Sequence, residues 1–266
     1  MNQAVNGNIK IGNTDMDYIS FGSGTRNLIM LPGLGDGLKT VKGTASAFAM
    51  MYRRYAKDYK VYVFSRKNQL NEGCSTRDMA RDQVTAMKEL GIHDADIIGI
   101  SQGGMIAQYF AIDYPEMVRK LILTVTMSRQ NETVQRIIGD WIKMAEAGDY
   151  KTLMIDTAEK MYTEKYLKRY RMFYPILTKM GKTENFGRFI IQAWSCLQHN
   201  AYDRLDEIKC PTLVIGADQD HVLEGHSSED IAERIAGSEL VMYEGFGHGV
   251  YEEAKDFHDR VLDFLK

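Results

Sequence analysis

One serine in this sequence lies in a pattern that fits a catalytic nucleophile. The segment Gly99-Ile100-Ser101-Gln102-Gly103-Gly104 follows an apolar, strand-like run and precedes a helix-like run. A G-x-S-x-G pattern between a strand and a helix puts the serine on a sharp, strained turn above the end of a parallel sheet. Gly99 and Gly103 let neighbouring backbone pass close to that turn without a Cβ clash. Because so short a motif also occurs by chance, its surroundings decide whether Ser101 is a nucleophile.

A serine nucleophile needs a base to take its proton, and the base needs a carboxylate that fixes its tautomer and stabilises its charge. Among the six histidines, His248 lies directly after the last predicted strand, in the segment Gly245-Phe246-Gly247-His248-Gly249. The glycines allow this loop to bend back over the edge of the sheet. The other histidines precede the strand of the serine, lie in helical segments or flank the candidate acid, so His248 is the predicted base.

Two aspartates follow the predicted strand 211–216, and either one is placed to supply the carboxylate. We favour Asp220, which begins the tripeptide Asp-His-Val just before an apolar residue turns the chain back. Asp218 is the alternative, although an aspartate in such a place often only forms a turn. The chain order Ser101, Asp220, His248 differs from the orders of the chymotrypsin and subtilisin folds.

The negative charge that develops on an attacked carbonyl oxygen needs N–H donors that are held in place before the reaction. The backbone N–H of Gln102, just after the serine, is one predicted donor. The other is that of Leu34, in the glycine-rich segment Pro32-Gly33-Leu34-Gly35-Asp36-Gly37. A phosphate-binding loop is disfavoured there because neither G-K-[ST] nor G-x-G-x-x-G is present. Asp36 and Arg66 are placed in loops after strands, within reach of a substrate, but a solvated loop charge is the commoner explanation for each.

The elements that must position these residues alternate along the chain. Apolar runs predict strands at 8–11, 17–21, 27–31, 61–65, 96–100, 120–126, 211–216 and 240–243. Helical runs are predicted at 44–55, 75–90, 105–114, 228–235 and 252–265. This alternation indicates βαβ units, and hence an α/β fold with a mostly parallel, doubly wound sheet opened by an N-terminal hairpin. Ser75 and Asp78 form a capping-box pattern at the start of the helix 75–90.

Between residues 128 and 200 the alternation stops and helical periodicity takes its place. We therefore predict one structural domain, with a core built from residues 1–127 and 201–266 and a helical cap inserted at 128–200. Methionines and aromatic residues of the cap are expected to line an adaptable apolar pocket, although any single one is more often part of the cap's own core. They are Met144, Met154, Met161, Met172, Met180, Trp141, Tyr162, Tyr166, Tyr170, Phe173, Tyr174 and Trp194.

Bulk properties argue against several classes of function. The formal net charge of −3 gives no electrostatic basis for binding nucleic acid or an anionic membrane. The sequence has no secretory signal, no apolar run of transmembrane length and only three scattered cysteines, so we expect a cytoplasmic protein without disulfides. His221, Glu224 and His226 match no zinc-binding helix pattern, and we expect no metal.

With these residues in place, the chain resembles the α/β-hydrolase fold family over nearly its whole length. The resemblance rests on the segments 31–35, 99–104, 211–220 and 245–248. It implies that the cap follows the sixth strand. It also implies five roles: Ser101 as nucleophile, Asp220 as acid, His248 as base, and Leu34 and Gln102 as oxyanion donors.

The sequence also departs from common patterns of that family. Many members have His-Gly where this chain has Pro32-Gly33, and many esterases have His where it has Ile100, so no subfamily is assigned. Ser101 argues against haloalkane dehalogenases and epoxide hydrolases, which use an aspartate nucleophile. The expected reaction is hydrolysis of small or medium apolar or aromatic esters, with an ester as the only partner and no cofactor. Lactone or C–C hydrolysis, aminopeptidase activity, a cofactor-free peroxidase or lyase, and a non-catalytic binding protein are the alternatives.

Overall fold

The chain folds around one central sheet in a computed structural model that describes residues 4–179, 183, 185–224 and 226–266. The cap residue Met180 lies outside these described residues. The strands are β1 (Val5–Ile11), β2 (Thr14–Phe21), β3 (Arg26–Leu31), β4 (Tyr59–Lys67), β5 (Ala95–Ile100), β6 (Val118–Thr124), β7 (Thr212–Ala217) and β8 (Glu239–Tyr243). Their order in the sheet is β1-β2-β4-β3-β5-β6-β7-β8.

The sheet confirms the predicted fold class. β1 and β2 form an antiparallel hairpin, β2 pairs antiparallel with β4, and every further pair across the sheet to β8 is parallel. Because the carboxyl ends of parallel strands meet at one edge, the loops after β3, β5, β7 and β8 converge there. The predicted nucleophile, acid, base and oxyanion residues all lie in those four loops or, for Gln102, at the first residue of the helix that follows β5.

Helices cover both faces of the sheet, and a group of them lies within residues 128–200. They are α1 (Ala45–Met51), α2 (Thr76–Glu89), α3 (Gln102–Asp113), α4 (Glu132–Glu146), α5 (Tyr150–Met161), α6 (Glu164–Tyr170), α7 (Tyr174–Leu177), α8 (Gly187–Leu197), α9 (His226–Arg234), α10 (Val250–Glu253) and α11 (Phe257–Leu265). The predicted capping box of α2 is confirmed: the N–H of Asp78 donates to Ser75 Oγ at 3.1 Å, and the N–H of Ser75 donates to Asp78 Oδ2 at 3.0 Å.

Two apolar cores flank the sheet, as a parallel sheet buried on both faces requires. One core packs α2, α3 and α9 on the sheet, through residues that include Met79 and Phe110. The other packs α1 and α11 on the opposite face, through residues that include Ala45 and Val261. Of the helices formed by the described residues, none has the length and the apolar composition needed to cross a membrane.

Several predicted boundaries were wrong. The helix predicted at 252–265 is divided into α10 and α11, because Ala254 is extended at φ −78° and ψ 120°. The helix predicted at 44–55 ends at Met51, and turns follow it. β6 ends at Thr124 instead of residue 126, since Val125 has a positive φ of 39°. α3 begins at Gln102 instead of residue 105, directly after the serine turn.

Residues 128–200 contain α4 to α8, and within the described part of this segment the sole β-type contact is an isolated bridge between Arg129 and Asn200. This bridge joins the two ends of the segment. A third apolar cluster lies under the helices and includes Trp141 of α4 and Phe189 of α8 together with Leu34 of the core. The division into core and cap stays a prediction.

Candidate active site

Ser101 occupies the turn between β5 and α3 in a strained backbone conformation. Its φ is 53° and its ψ is −119°, a region that residues with a Cβ rarely adopt. Its N–H donates to Thr124 O at 2.9 Å, and its carbonyl accepts from the Thr126 hydroxyl at 2.7 Å and from Gly104 N–H at 2.8 Å. These bonds to the end of β6 and to the first turn of α3 hold the strained residue in place.

The glycines around Ser101 are required by close packing. A Cβ on Gly103 would lie 1.9 Å from the carbonyl oxygen of Leu31, at the end of β3. A Cβ on Gly99 would lie 2.6 Å from the carbonyl oxygen of Gly103, and one on Gly104 would lie 2.6 Å from the side chain of Thr126. The G-x-S-x-G-G sequence therefore permits α3 to start against the end of two strands.

His248 and Asp220 are brought together by the loops after β8 and β7. His248 Nδ1 lies 2.7 Å from Asp220 Oδ2, and both side chains are buried. The second carboxylate oxygen accepts from the N–H groups of Val222 at 2.8 Å and Leu223 at 3.0 Å. Burial opposes ionisation of Asp220, but the His248 ring and these two N–H groups outweigh it, so the pKa of Asp220 lies below its usual value.

Asp218, the alternative acid, has a different partner. Its Oδ1 accepts from the N–H of Gly245 at 2.7 Å, at the start of the loop that carries His248, and the residue is exposed. This contact is the turn-forming interaction expected of an aspartate in a loop. Of the two aspartates, the structure brings Asp220 to the histidine.

The His248 loop packs tightly on the end of α5. The N–H of Gly249 donates to Met161 O at 2.7 Å, and a Cβ on Gly247 would lie 2.8 Å from the same oxygen. The glycines on either side of His248 thus allow the loop to contact the backbone of α5 directly. Helix α5 thereby forms one wall beside the histidine.

Both predicted oxyanion donors begin a helical turn. Gln102 is the first residue of α3, and Leu34 is the first residue of a 3-10 turn, Leu34–Gly37. Within the described chain neither N–H donates to another group. A Cβ built on Gly33 would lie 3.4 Å from the Cβ of Ser101, so this loop closely approaches the serine. Free N–H groups at two helical N-termini suit a developing negative charge.

Ser101 and His248 line the same cavity, which has a volume of about 290 Å³. The rest of its wall is mostly apolar. It consists of Pro32, Gly33, Leu34, Gly35, Asp36, Leu38, Trp141, Met154, Thr157, Met161, Phe189 and Tyr251. The expectation that cap methionines and aromatic residues line a pocket therefore holds for Trp141, Met154 and Met161. Met172, Phe173 and Trp194 are instead exposed, at 74%, 45% and 48%.

The interpretation of Asp36 and Arg66 as solvated loop charges was wrong. Asp36 is only 5% exposed and Arg66, which lies within β4, is 1% exposed. Asp36 Oδ2 accepts from the backbone N–H of Arg66 at 3.0 Å and from Arg188 Nη2 of α8 at 2.5 Å. Sequence analysis did not single out Arg188, nor Thr157 and Tyr251, which carry hydroxyl groups in the cavity wall in addition to that of Ser101. No local pattern marks an arginine in a helical segment as a buried ligand of a carboxylate.

Comparisons with known proteins identify the family. A protein named carbamate hydrolase RutD, from Rhizobium rhizogenes, is 25% identical over 91% of this chain and 93% of its own. A 2-hydroxy-6-oxononadienedioate/2-hydroxy-6-oxononatrienedioate hydrolase of Paraburkholderia phymatum is 26% identical over 97% of this chain and 94% of its own. The structure of MGS-M2, an α/β hydrolase from a deep-sea metagenome library, has a TM-score of 0.87 at 21% identity and 97% coverage of both chains. The family model of the α/β hydrolase fold matches residues 27–255, and the chain belongs to that family.

Proposed function

We propose that this protein is a serine hydrolase that cleaves carboxylic esters of small or medium apolar or aromatic substrates through an acyl-enzyme. The observation that carries the proposal is one cavity lined by Ser101, His248 and Leu34, with Asp220 bonded to the far side of the histidine ring. The proposed nucleophile, base and one proposed oxyanion donor thus line one space, and in the proposal the Asp220 carboxylate orients the base from outside it.

The proposed reaction begins with attack of Ser101 Oγ on the ester carbonyl carbon. Because Nδ1 of His248 is bonded to Asp220, Nε2 is the ring nitrogen that takes the serine proton. The N–H groups of Leu34 and Gln102 bind the oxyanion of the tetrahedral intermediate. His248 then gives its proton to the leaving alcohol as the C–O bond breaks, and an acyl-serine remains.

Water releases the acyl group by the reverse use of the same residues. His248 Nε2 removes a proton from the water as its oxygen attacks the acyl carbon. The proton passes to Ser101 Oγ when the second tetrahedral intermediate collapses, and the carboxylic acid leaves. The sequence of steps needs no metal or organic cofactor, and an ester is the only partner that we propose.

The composition of the cavity wall supports the proposal that the substrate is uncharged. Leu34, Leu38, Trp141, Met154, Met161 and Phe189 supply apolar surface, and no lysine or arginine is among the described residues that line it. The Paraburkholderia relative is named for a dioate, which carries two carboxylates. Burial of carboxylates without a cation is costly, so this cavity favours neutral esters over such a substrate for C–C cleavage.

The test is hydrolysis of p-nitrophenyl esters from acetate to octanoate by the wild type and by Ser101→Ala. We expect the variant to lose about 10⁴-fold or more in kcat, because it has no nucleophile. Ser227→Ala, which removes another buried serine hydroxyl, is the matched control and should stay within a few-fold of wild type. Lactones, an aminoacyl anilide and a C–C substrate complete the panel, together with a peroxide-dependent oxidation assay.

Three other results of the panel would each change the proposal in a different way. A preference for lactones, anilides or the C–C substrate would keep Ser101 as nucleophile and replace the ester as substrate. Peroxide-dependent oxidation without hydrolysis would replace the reaction class. Absence of both activity and labelling of Ser101 by a fluorophosphonate would reject the proposal and favour a binding protein.

A further inference from the structure

Helix α8 of the predicted cap lies in direct backbone contact with the loop that carries Leu34. A Cβ on Gly37, at the end of the 3-10 turn, would lie only 2.7 Å from the Cα of Phe189. Only glycine permits this approach. The turn that carries the Leu34 N–H therefore packs directly against α8 at Gly37.

Arg188, next to Phe189 on α8, binds this turn with its guanidinium group. Its Nη2 donates to Asp36 Oδ2 at 2.5 Å and to the Arg66 carbonyl at 2.9 Å, and its Nη1 donates to the Asp36 carbonyl. Its Nε donates to the Lys67 carbonyl at 2.9 Å. One side chain thus joins the 3-10 turn to the end of β4.

Arg66 holds the same loop on the other side of Leu34. Its Nη2 donates to the Pro32 carbonyl at 2.6 Å. Burial lowers the pKa of Arg66 to about 10, although the negative charge of Asp36 acts to raise this pKa. Asp36 forms its ion pair with Arg188 and accepts only the backbone N–H of Arg66, so the buried guanidinium of Arg66 lies beneath the loop without a carboxylate bonded to it, and its positive charge favours an oxyanion nearby.

The same helix binds the residue that carries the other donor. The side chain of Gln102 is fully buried, and its Nε2 donates to the Gln192 carbonyl at 2.8 Å and to Ser195 Oγ at 3.2 Å. Gln192 and Ser195 both belong to α8. One helix is therefore bonded to the residue that follows the serine and to the turn that begins at Leu34.

We propose that α8 positions both oxyanion donors, through Arg188 for Leu34 and through the Gln102 side chain for the Gln102 N–H. Arg188 is a positioning residue, since it contacts the loop and does not line the cavity. The proposal rests on the proposed function, because it assigns α8 to the oxyanion site of that reaction. It also requires α8 to stay in contact with the core throughout turnover.

The first test compares an ester with its thionoester, whose sulfur is a poor acceptor for oxyanion donors. In Arg188→Met we expect kcat for p-nitrophenyl butyrate to fall about 10- to 100-fold with KM within about two-fold. The ratio of ester to thionoester rates should fall as well, and Arg188→Lys should restore part of both. Gln102→Met should lower the same ratio without altering any charge.

Arg171→Met is the matched control. Arg171 also lies within residues 128–200 and is bonded to Glu159 and Glu164, and none of its hydrogen bonds to the described residues reaches the segment 33–38. We expect this variant to leave kcat and the ester-to-thionoester ratio unchanged. An unchanged ratio in both Arg188→Met and Gln102→Met would overturn the proposal, even if their stability or KM changed.

Hydrogen–deuterium exchange gives a second test that does not require catalysis. Arg188→Met, or Arg188→Lys if the first variant does not fold, should speed exchange in the peptide covering residues 33–38, and Arg171→Met should not. Unchanged exchange there overturns the role of Arg188. If the wild type hydrolyses no ester, the proposed function fails on its own, and the exchange result still decides whether α8 holds the loop.

Discussion

Asp218 and Asp220 are only two residues apart, yet their carboxylates have different partners. Asp220 is bonded to His248 Nδ1, whereas Asp218 accepts from the Gly245 N–H. If Asp220 is replaced by asparagine, the side-chain amide can hydrogen-bond the wrong tautomer of His248. The amide also carries no negative charge that could stabilise the imidazolium. We therefore expect Asp220→Asn to lower kcat for ester hydrolysis about 10³- to 10⁴-fold at neutral pH.

Asp218→Asn is the matched control, because its amide oxygen still accepts from the Gly245 N–H. Its kcat should stay within about ten-fold of wild type, since only the geometry of the loop is affected. Steady-state rates at saturating ester measure both variants. A larger loss in Asp218→Asn than in Asp220→Asn would show that the acid has been assigned to the wrong aspartate.

Residue types and spacing were enough to predict which serine, aspartate and histidine would converge, because each follows a strand and the strand ends meet at one edge. Residue types and spacing were not enough to predict that the charges of Asp36 and Arg66 are buried. Whether a charge in a loop is solvated depends on which other parts of the chain pack over that loop. Here Arg188 of α8, more than a hundred residues away in sequence, packs against Asp36. Such a contact has no local signature.

At the scale of elements, the serine turn depends on close contact between α3 and the end of β3. Ala at position 103 would place its Cβ 1.9 Å from the Leu31 carbonyl oxygen, so the strand and helix must separate. We expect Gly103→Ala to lower the free energy of unfolding by about 2 kcal/mol or more and to reduce kcat together with it. Denaturant unfolding and ester hydrolysis measure the two effects.

Gly139→Ala is the control, and its expected effect on the free energy of unfolding has the opposite sign. Gly139 lies inside α4, and apart from its chain neighbours and the nearby backbone of α4 itself no atom of the described residues lies within 4 Å of the Cβ position. Ala in a helix interior should stabilise the protein by about 0.5–1 kcal/mol and leave kcat unchanged. A Gly103→Ala variant as stable and active as wild type would contradict the packing described for the serine turn.

The kind of each element was easier to predict than its ends. The capping box of α2 was read from Ser75 and Asp78 because both partners are local. The break between α10 and α11 was missed, since the residues from Glu253 to Phe257 include neither glycine nor proline. Ala254 is extended there, and both it and Phe257 are buried in the core beside the sheet. Tertiary packing, not local propensity, ends α10.

At the scale of the whole molecule, His199 joins the end of the predicted cap to the core. Its Nδ1 lies 2.9 Å from Thr76 Oγ1 of α2, and its Nε2 lies 3.3 Å from Gln108 Oε1 of α3. The residue is 1% exposed. These contacts suit a neutral imidazole that accepts from the threonine hydroxyl and donates to the amide oxygen.

His199 should make the folded protein sensitive to acid. Burial lowers its pKa to about 3, whereas the ring in an unfolded chain titrates near about 6.5. As the pH falls between these values, the unfolded state binds a proton that the folded state does not, so stability falls by about 1.4 kcal/mol per pH unit from this group. His199→Gln keeps polar contacts but does not titrate. Denaturant unfolding from pH 7 to pH 4 should therefore show a steeper loss of stability in wild type than in the variant, and parallel curves would contradict a neutral buried ring.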